Sequence, residues 1–181
     1  DNWVLTSSDS PQNSGDSRSS PIGSDLMLVD FGRALDLTAI MASSIDPLSI
    51  DLHGNIAAKD MECAAMRQDR SWNVDLDTYG VCASAHALLF GCYMDICENN
   101  RSKRWEPKKK FRRYWQQDLW HHFFDTLLNV NGKHSKLRVG EYGKKLRHVR
   151  EAFEDYLDES RHRKEVITLL REQGGKLYKR N

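Results

Sequence analysis

Short apolar runs, a long aperiodic polar stretch and then helical stripes follow one another along this chain. Leu26-Met27-Leu28-Val29 places four apolar residues in a row, β-branched at the end, and predicts a short buried strand. Trp3-Val4-Leu5 is a second such run. Between them, Ser7 to Ser24 is rich in Ser, Asp, Asn, Pro and Gly, a composition that buries too little to order itself. Residues 7–24 therefore read as a disordered insertion at the tip of a hairpin, or as a disordered N-terminal tail ending near Ser24. From Arg33 to Arg70 no period is sustained, and Pro47, Gly54 and scattered Ser and Asp punctuate a loop of functional length.

Helix dominates the rest. Val74 to Phe90 combines Val74, Val81, Leu88 and Leu89 with small Gly80, Ala83 and Ala85, which predicts a helix apolar nearly all round and hence buried. Gly91 is placed to cap it. Leu119, Trp120, Phe123, Phe124, Leu127 and Leu128 recur at spacings of three and four, an amphipathic helix with Asp118 near its start and Asn131-Gly132 at its end. Leu137 to Leu157 carries a further stripe through Leu146, Val149, Phe153 and Tyr156. Val166, Leu169 and Leu170 mark a last helix before Gly174-Gly175. Beyond Phe90 the expectation is helix throughout, without internal repeats, and the pattern alone gives a mainly α domain.

Composition adds three constraints. At 181 residues the chain suffices for one ordinary domain with a sizeable core. Its net charge of +1, from 27 basic and 26 acidic residues, creates no global field toward nucleic acid or membrane. Cys63, Cys82, Cys92 and Cys97 form no C-x-x-C pair and read as reduced, largely buried thiols of an intracellular protein. No apolar run approaches a membrane span and no signal peptide is evident. Asp1 is not an initiator methionine, so the chain reads as a fragment or a processed product.

One segment breaks the charge balance. Arg101, Lys103, Arg104, Lys108, Lys109, Lys110, Arg112 and Arg113 stand against Glu106 alone, interleaved with Trp105 and Phe111. Three readings are open: a solvated surface, a docking site for an acidic or phosphorylated partner, or a phosphate-contacting and base-stacking face for nucleic acid. Protein docking is preferred. His121 and His122, on an amphipathic helix, read as packing and surface residues rather than ligands.

The Leu26 strand delivers Asp30, Phe31 and Gly32. A carboxylate, an aromatic ring and a glycine after a buried strand form the magnesium-binding signature of protein kinases. Asp30 would be the hard oxygen ligand for Mg²⁺, Phe31 would pack inward, and Gly32 would allow the turn that follows. The flanking blocks extend the match. Asp1-Asn2-Trp3-Val4-Leu5 looks like the end of a catalytic loop, and Asp30-Phe31-Gly32-Arg33-Ala34-Leu35-Asp36-Leu37 follows. Cys63, Met66, Trp72, Leu76-Asp77-Thr78-Tyr79-Gly80-Val81 and Leu89-Phe90-Gly91-Cys92-Tyr93-Met94 come next, in order and at matching spacing. On these motifs the chain resembles the Bub family of mitotic checkpoint kinases, well over about residues 1–130 and only in character beyond.

The resemblance implies a partial protein-kinase large (C-terminal) lobe over residues 1–181, with a short hairpin before the activation segment and a helical bundle after it. Residues 30–70 would be the activation segment and 71–181 the helical part. Asn2 and Asp30 would hold Mg²⁺ against ATP, with Phe31 and Gly32 beside them. Asp75 or Asp77 would be the buried-helix aspartate that supports the catalytic loop: Asp77 fits the family's motif and Asp75 the general kinase spacing. The base aspartate would lie upstream of Asp1, as would the Gly-rich loop and strand lysine, so the fragment alone would be inactive. Ala65 stands where the family has a glutamate that anchors the activation segment, and Met61 and Glu62 also depart from its pattern.

By resemblance, the function is Ser/Thr phosphoryl transfer in the spindle assembly checkpoint, in the nucleus and at kinetochores. Partners would be other checkpoint and kinetochore proteins and a protein substrate such as a histone tail, without membrane binding or direct nucleic-acid contact. Two alternatives remain: a checkpoint pseudokinase scaffold, and a basic helical nucleic-acid-binding module.

Overall fold

The computed structural model describes residues 3–7, 24–28, 51–55, 57, 61–131, 139–159, 164–169 and 171–172. The chain divides into two units, Asp1–Ala42 and Ser43–Asn181. In the first, β1 (Trp3–Ser7) and β2 (Ser24–Leu28) pair antiparallel, Trp3 opposite Leu28 and Ser7 opposite Ser24. The hairpin is the one the two apolar runs predict. Met27 is 52% exposed, so burial of the strand does not hold there, in keeping with a two-stranded ladder that leaves a face open. The remainder of the predicted insertion lies outside the described residues, as do positions 30–50, 56 and 58–60 of the predicted activation segment.

The second unit runs α1 (Ala64–Arg67), α2 (Asp75–Phe90), β3 (Ile96–Glu98), β4 (Trp105–Pro107), α3 (Gln117–Leu128) and α4 (Val139–Asp158). Residues 164–169 and 171–172 are also helical. Helix α2 has two first-turn acids, Asp75 and Asp77, which suit the positive end of the helix dipole. It ends where Gly91 adopts φ +67° and its N–H bonds Ala87 O at 2.8 Å. Its buried residues, Asp75, Thr78, Tyr79, Cys82 and His86, fall at helical spacing on one face. Val81 and Leu88 are exposed, Leu88 at 89%, so α2 is not buried all round. Small residues such as Gly80 and Ala87 count as apolar on either face and hide that asymmetry from a sequence reading.

The expectation of helix throughout the region beyond Phe90 fails between Ile96 and Pro107. Strands β3 and β4 pair antiparallel there, Ile96 opposite Pro107 and Glu98 opposite Trp105. Asn99 makes the turn: its Oδ1 accepts the N–H groups of Arg101 and Ser102, and Lys103 takes a left-handed φ of 55°. Three-residue strands containing Glu98, Glu106 and Pro107 are too short and too polar to show a period of two.

Helix α3 follows its predicted stripe and buries Phe124, Leu127 and Leu128. It packs against α2, α4 and β4. The core it completes contains Cys63, Ala65, Trp72, Tyr79, Cys82 and Ile96. Phe111 meets the Phe124 ring at 5.4 Å and the Phe90 ring at 5.8 Å, and Trp120 meets Phe153 of α4 edge-on at 5.2 Å. Of the cysteines, Cys63 and Cys82 are buried, Cys97 is half-buried and Cys92 is exposed, all as free thiols.

Candidate functional site

The Trp3–Leu28 pair is the open end of the β1–β2 hairpin, where the chain enters β1 and leaves β2. Asn2 precedes that pair in sequence, and Asp30, Phe31 and Gly32 follow it. All four predicted nucleotide- and metal-binding residues lie outside the described residues. Among the described residues no three His, Cys, Asp or Glu side chains gather into a metal site.

The two helix aspartates separate cleanly. Asp75 is buried, and its Oδ2 accepts the Asn73 N–H at 3.0 Å and Asn131 Nδ2 at 2.8 Å. One carboxylate thus joins the start of α2 to the segment after α3, 56 residues away. Asp77 is exposed and lines a cleft of about 380 Å³ with Val81, Tyr142 and Leu146. Burial, and then the charges of Asp77 and Asp75, hold the Tyr142 phenol above its ordinary pKa.

The basic run is partly consumed within the fold. Arg104 forks onto the Asp125 carboxylate and also donates to the Asp125 carbonyl at 3.1 Å. Lys108 pairs with Asp95, which also receives Arg67. Those two cations, Lys108 foremost, hold the Asp95 carboxyl below the usual carboxylate range. Lys109 lies 5.2 Å from the Phe90 ring centre and donates to Cys92 Sγ at 3.3 Å. Arg112 donates to the Tyr114 hydroxyl at 2.6 Å. Arg101, Lys103, Lys110 and Arg113 are exposed and make no ion pair among the described residues.

Ala65 is fully buried, and its carbonyl accepts the N–H groups of Gln68 and Arg70. The Arg67–Asp95 and Asp75–Asn131 connections were beyond sequence reasoning, because no local pattern marks partners 28 and 56 residues apart. His121 is exposed with its ring edge-on to Phe111 at 5.0 Å, and His122 is exposed. Among the described residues no helix is long and apolar enough to cross a membrane.

No family model matches the chain. It is 32% identical over 136 residues to the mitotic checkpoint serine/threonine-protein kinase BUB1 of Arabidopsis thaliana, covering 73% of this chain and 23% of that protein. It is 33% identical over 106 residues to the spindle assembly checkpoint serine/threonine-protein kinase BUB1 of Saccharomyces cerevisiae, and 35% over 108 residues to its Schizosaccharomyces pombe namesake. Each of those matches covers 58% of this chain and 10% of the yeast protein. The chain thus spans about a quarter or less of the curated relatives it matches. Among solved structures, the BubR1 kinase domain matches with a TM-score of 0.53 and 29% identity, over 72% of this chain and 40% of that one.

Proposed function

This chain is a relative of the Bub-family checkpoint kinases, and we propose that the complete protein is a Ser/Thr kinase of the spindle assembly checkpoint. In this reading Asn2 and Asp30 hold Mg²⁺, and ATP supplies the phosphoryl group for a protein substrate. The observation that carries it is the retention of both residues, within motifs in family order, in a chain 29% identical to a solved kinase domain. The reading requires a base aspartate and a small lobe in the complete protein, for which the described helices would serve as the platform. Asp75, buried and doubly hydrogen-bonded, has the character of the supporting aspartate. Nuclear and kinetochore localisation, checkpoint partners and a substrate such as a histone tail come with this reading.

The test is Mg-dependent ATP turnover by the full-length protein. Asp30→Ala should abolish it, and undiminished turnover in that variant refutes the assignment. A second reading, a pseudokinase scaffold, is favoured by one feature: Ala65 occupies a fully buried position where the family has an anchoring glutamate. Micromolar binding of Mg–ATP by the full-length protein would count against it.

A further inference from the structure

We propose that the cleft formed by α2, α3 and α4 is a binding site for a small arylalkyl amine, its ammonium at Asp77 and its apolar body along the cleft. Asp77 is the aspartate that the supporting role leaves over, since Asp75 takes the hydrogen bonds to Asn73 and Asn131. It lines a cleft of about 380 Å³, within the size range of small-molecule sites. Its carboxylate makes no hydrogen bond or ion pair among the described residues. The surrounding protein strips part of its hydration and raises its pKa, and no cation among the described residues lies near enough to lower it. An ammonium brought to this carboxylate would supply the partner that the fold does not.

The cleft has two unlike ends. Tyr142, Leu146, Val149 and Phe153 line it from α4 at helical spacing, one face about 16 Å long. The Asp77 charge acts on the Tyr142 phenol, so the carboxylate belongs to the Tyr142 end. The Tyr142 hydroxyl also has no hydrogen-bond partner among the described residues. At the other end the Phe153 ring stands edge-on to Phe123 at 5.9 Å. Val81, 40% exposed, leaves apolar surface between the ends in water. Arg150 is the only other charged residue lining the cleft, and it lies two helical turns past Tyr142, about 12 Å along α4. Its guanidinium bonds Glu154 at 3.2 Å, so it neither neutralises Asp77 nor opposes a cation seated there. An anion would meet the unpaired carboxylate, and a neutral guest would leave it unpaired. The site does not rest on phosphoryl transfer, and loss of the kinase reading would leave it standing.

The experiment is saturation-transfer NMR on the full-length protein at constant ionic strength, with phenylbutylamine, its neutral analogue phenylbutanol and its anionic analogue phenylbutanoate. Saturable binding of the amine is expected, with each analogue weaker by about tenfold or more. Asp77→Asn should weaken the amine by about tenfold and erase its advantage over the alcohol, whereas Arg150→Gln should change it by no more than about twofold. Comparing the three ligands leaves the protein untouched and so separates binding from unfolding. The proposal is overturned if the amine does not bind, if the alcohol or the carboxylate binds as tightly, or if Asp77→Asn keeps the preference for the amine.

Discussion

Arg67, at the end of α1, places Nη1 3.1 Å from Asp95 Oδ1, the carboxylate just before β3. The same nitrogen donates to Ile96 O at 3.2 Å, and Nε donates to Glu62 O at 3.1 Å. One guanidinium therefore closes the segment leading into α1 against the β3–β4 hairpin. Asp95 is half-exposed, so the ion pair itself is worth ~0.5 kcal/mol, while the backbone hydrogen bonds add about 1 kcal/mol. Arg67→Met should lower unfolding free energy by about 1–2 kcal/mol in urea titration, and Asp95→Asn by less. Equal losses would mean that the charge, not the backbone bonding, does the work.

The same pair has a pH signature. Because the folded Asp95 pKa is depressed, its contribution is present above the ordinary carboxylate value and is lost as pH falls through the folded value. The stability difference between the protein and Asp95→Asn should therefore be flat from neutral to weakly acidic pH and shrink below about pH 4. A difference that grows with acidification would reverse the assigned sign.

Ala65 leads to a prediction of the opposite kind. At 0% exposure its Cβ faces packed core, not a cationic partner identified among the described residues. Restoring the family's glutamate by Ala65→Glu would bury a carboxylate in that setting. A loss of about 3 kcal/mol or more in chemical denaturation is expected. A neutral or stabilising effect would show that a matching cation lies within reach.

How far the sequence could be read depended on the range of each interaction. The spacing of Leu119, Trp120, Phe123, Phe124 and Leu127 encodes α3 locally, and Gly91 marks the end of α2 because its φ of +67° suits glycine. The β1–β2 pairing was legible from two apolar runs flanking polar residues. Strands β3 and β4 were not, since their pairing rests on Asn99 turn chemistry and on Asn129, whose Oδ1 accepts the Trp105 N–H at 2.7 Å. The basic run read as an undivided field because Asp125, the partner of Arg104, lies 21 residues away. Of the candidate site, Asp75 and Asp77 stayed equivalent in sequence, and burial distinguishes them.

His86 carries a second pH dependence. It is 1% exposed, and its Nδ1 lies 3.1 Å from Cys92 O, so the neutral ring donates from Nδ1, and its Nε2 has no hydrogen-bond partner among the described residues. Burial foremost lowers its pKa below the ordinary 6.5. The unfolded chain then binds the proton first, so stability should fall as pH drops below about 6.5, down to the lowered folded value. In His86→Phe, which keeps a ring against Phe90, that slope should vanish in melts across pH 5–7. A slope that persists would assign it to another group.

The Asp75–Asn131 hydrogen bond, 2.8 Å long and spanning 56 residues, is the connection whose removal should be felt furthest. Asp75→Ala strips the Asn73 N–H and the Asn131 amide of this acceptor inside the fold, a cost of about 2–3 kcal/mol. Asn131→Ala alone removes a single donor from a carboxylate that keeps the Asn73 N–H, and should cost about 1 kcal/mol. Because the two side chains share one bond, the double variant should fall short of the sum by about 1 kcal/mol. Hydrogen exchange would locate the effect: protection should drop both at the start of α2 and around the C-terminal end of α3 in either single variant. Strict additivity, with exchange changes confined to the mutated end, would show that the carboxylate serves α2 alone and does not couple the two segments.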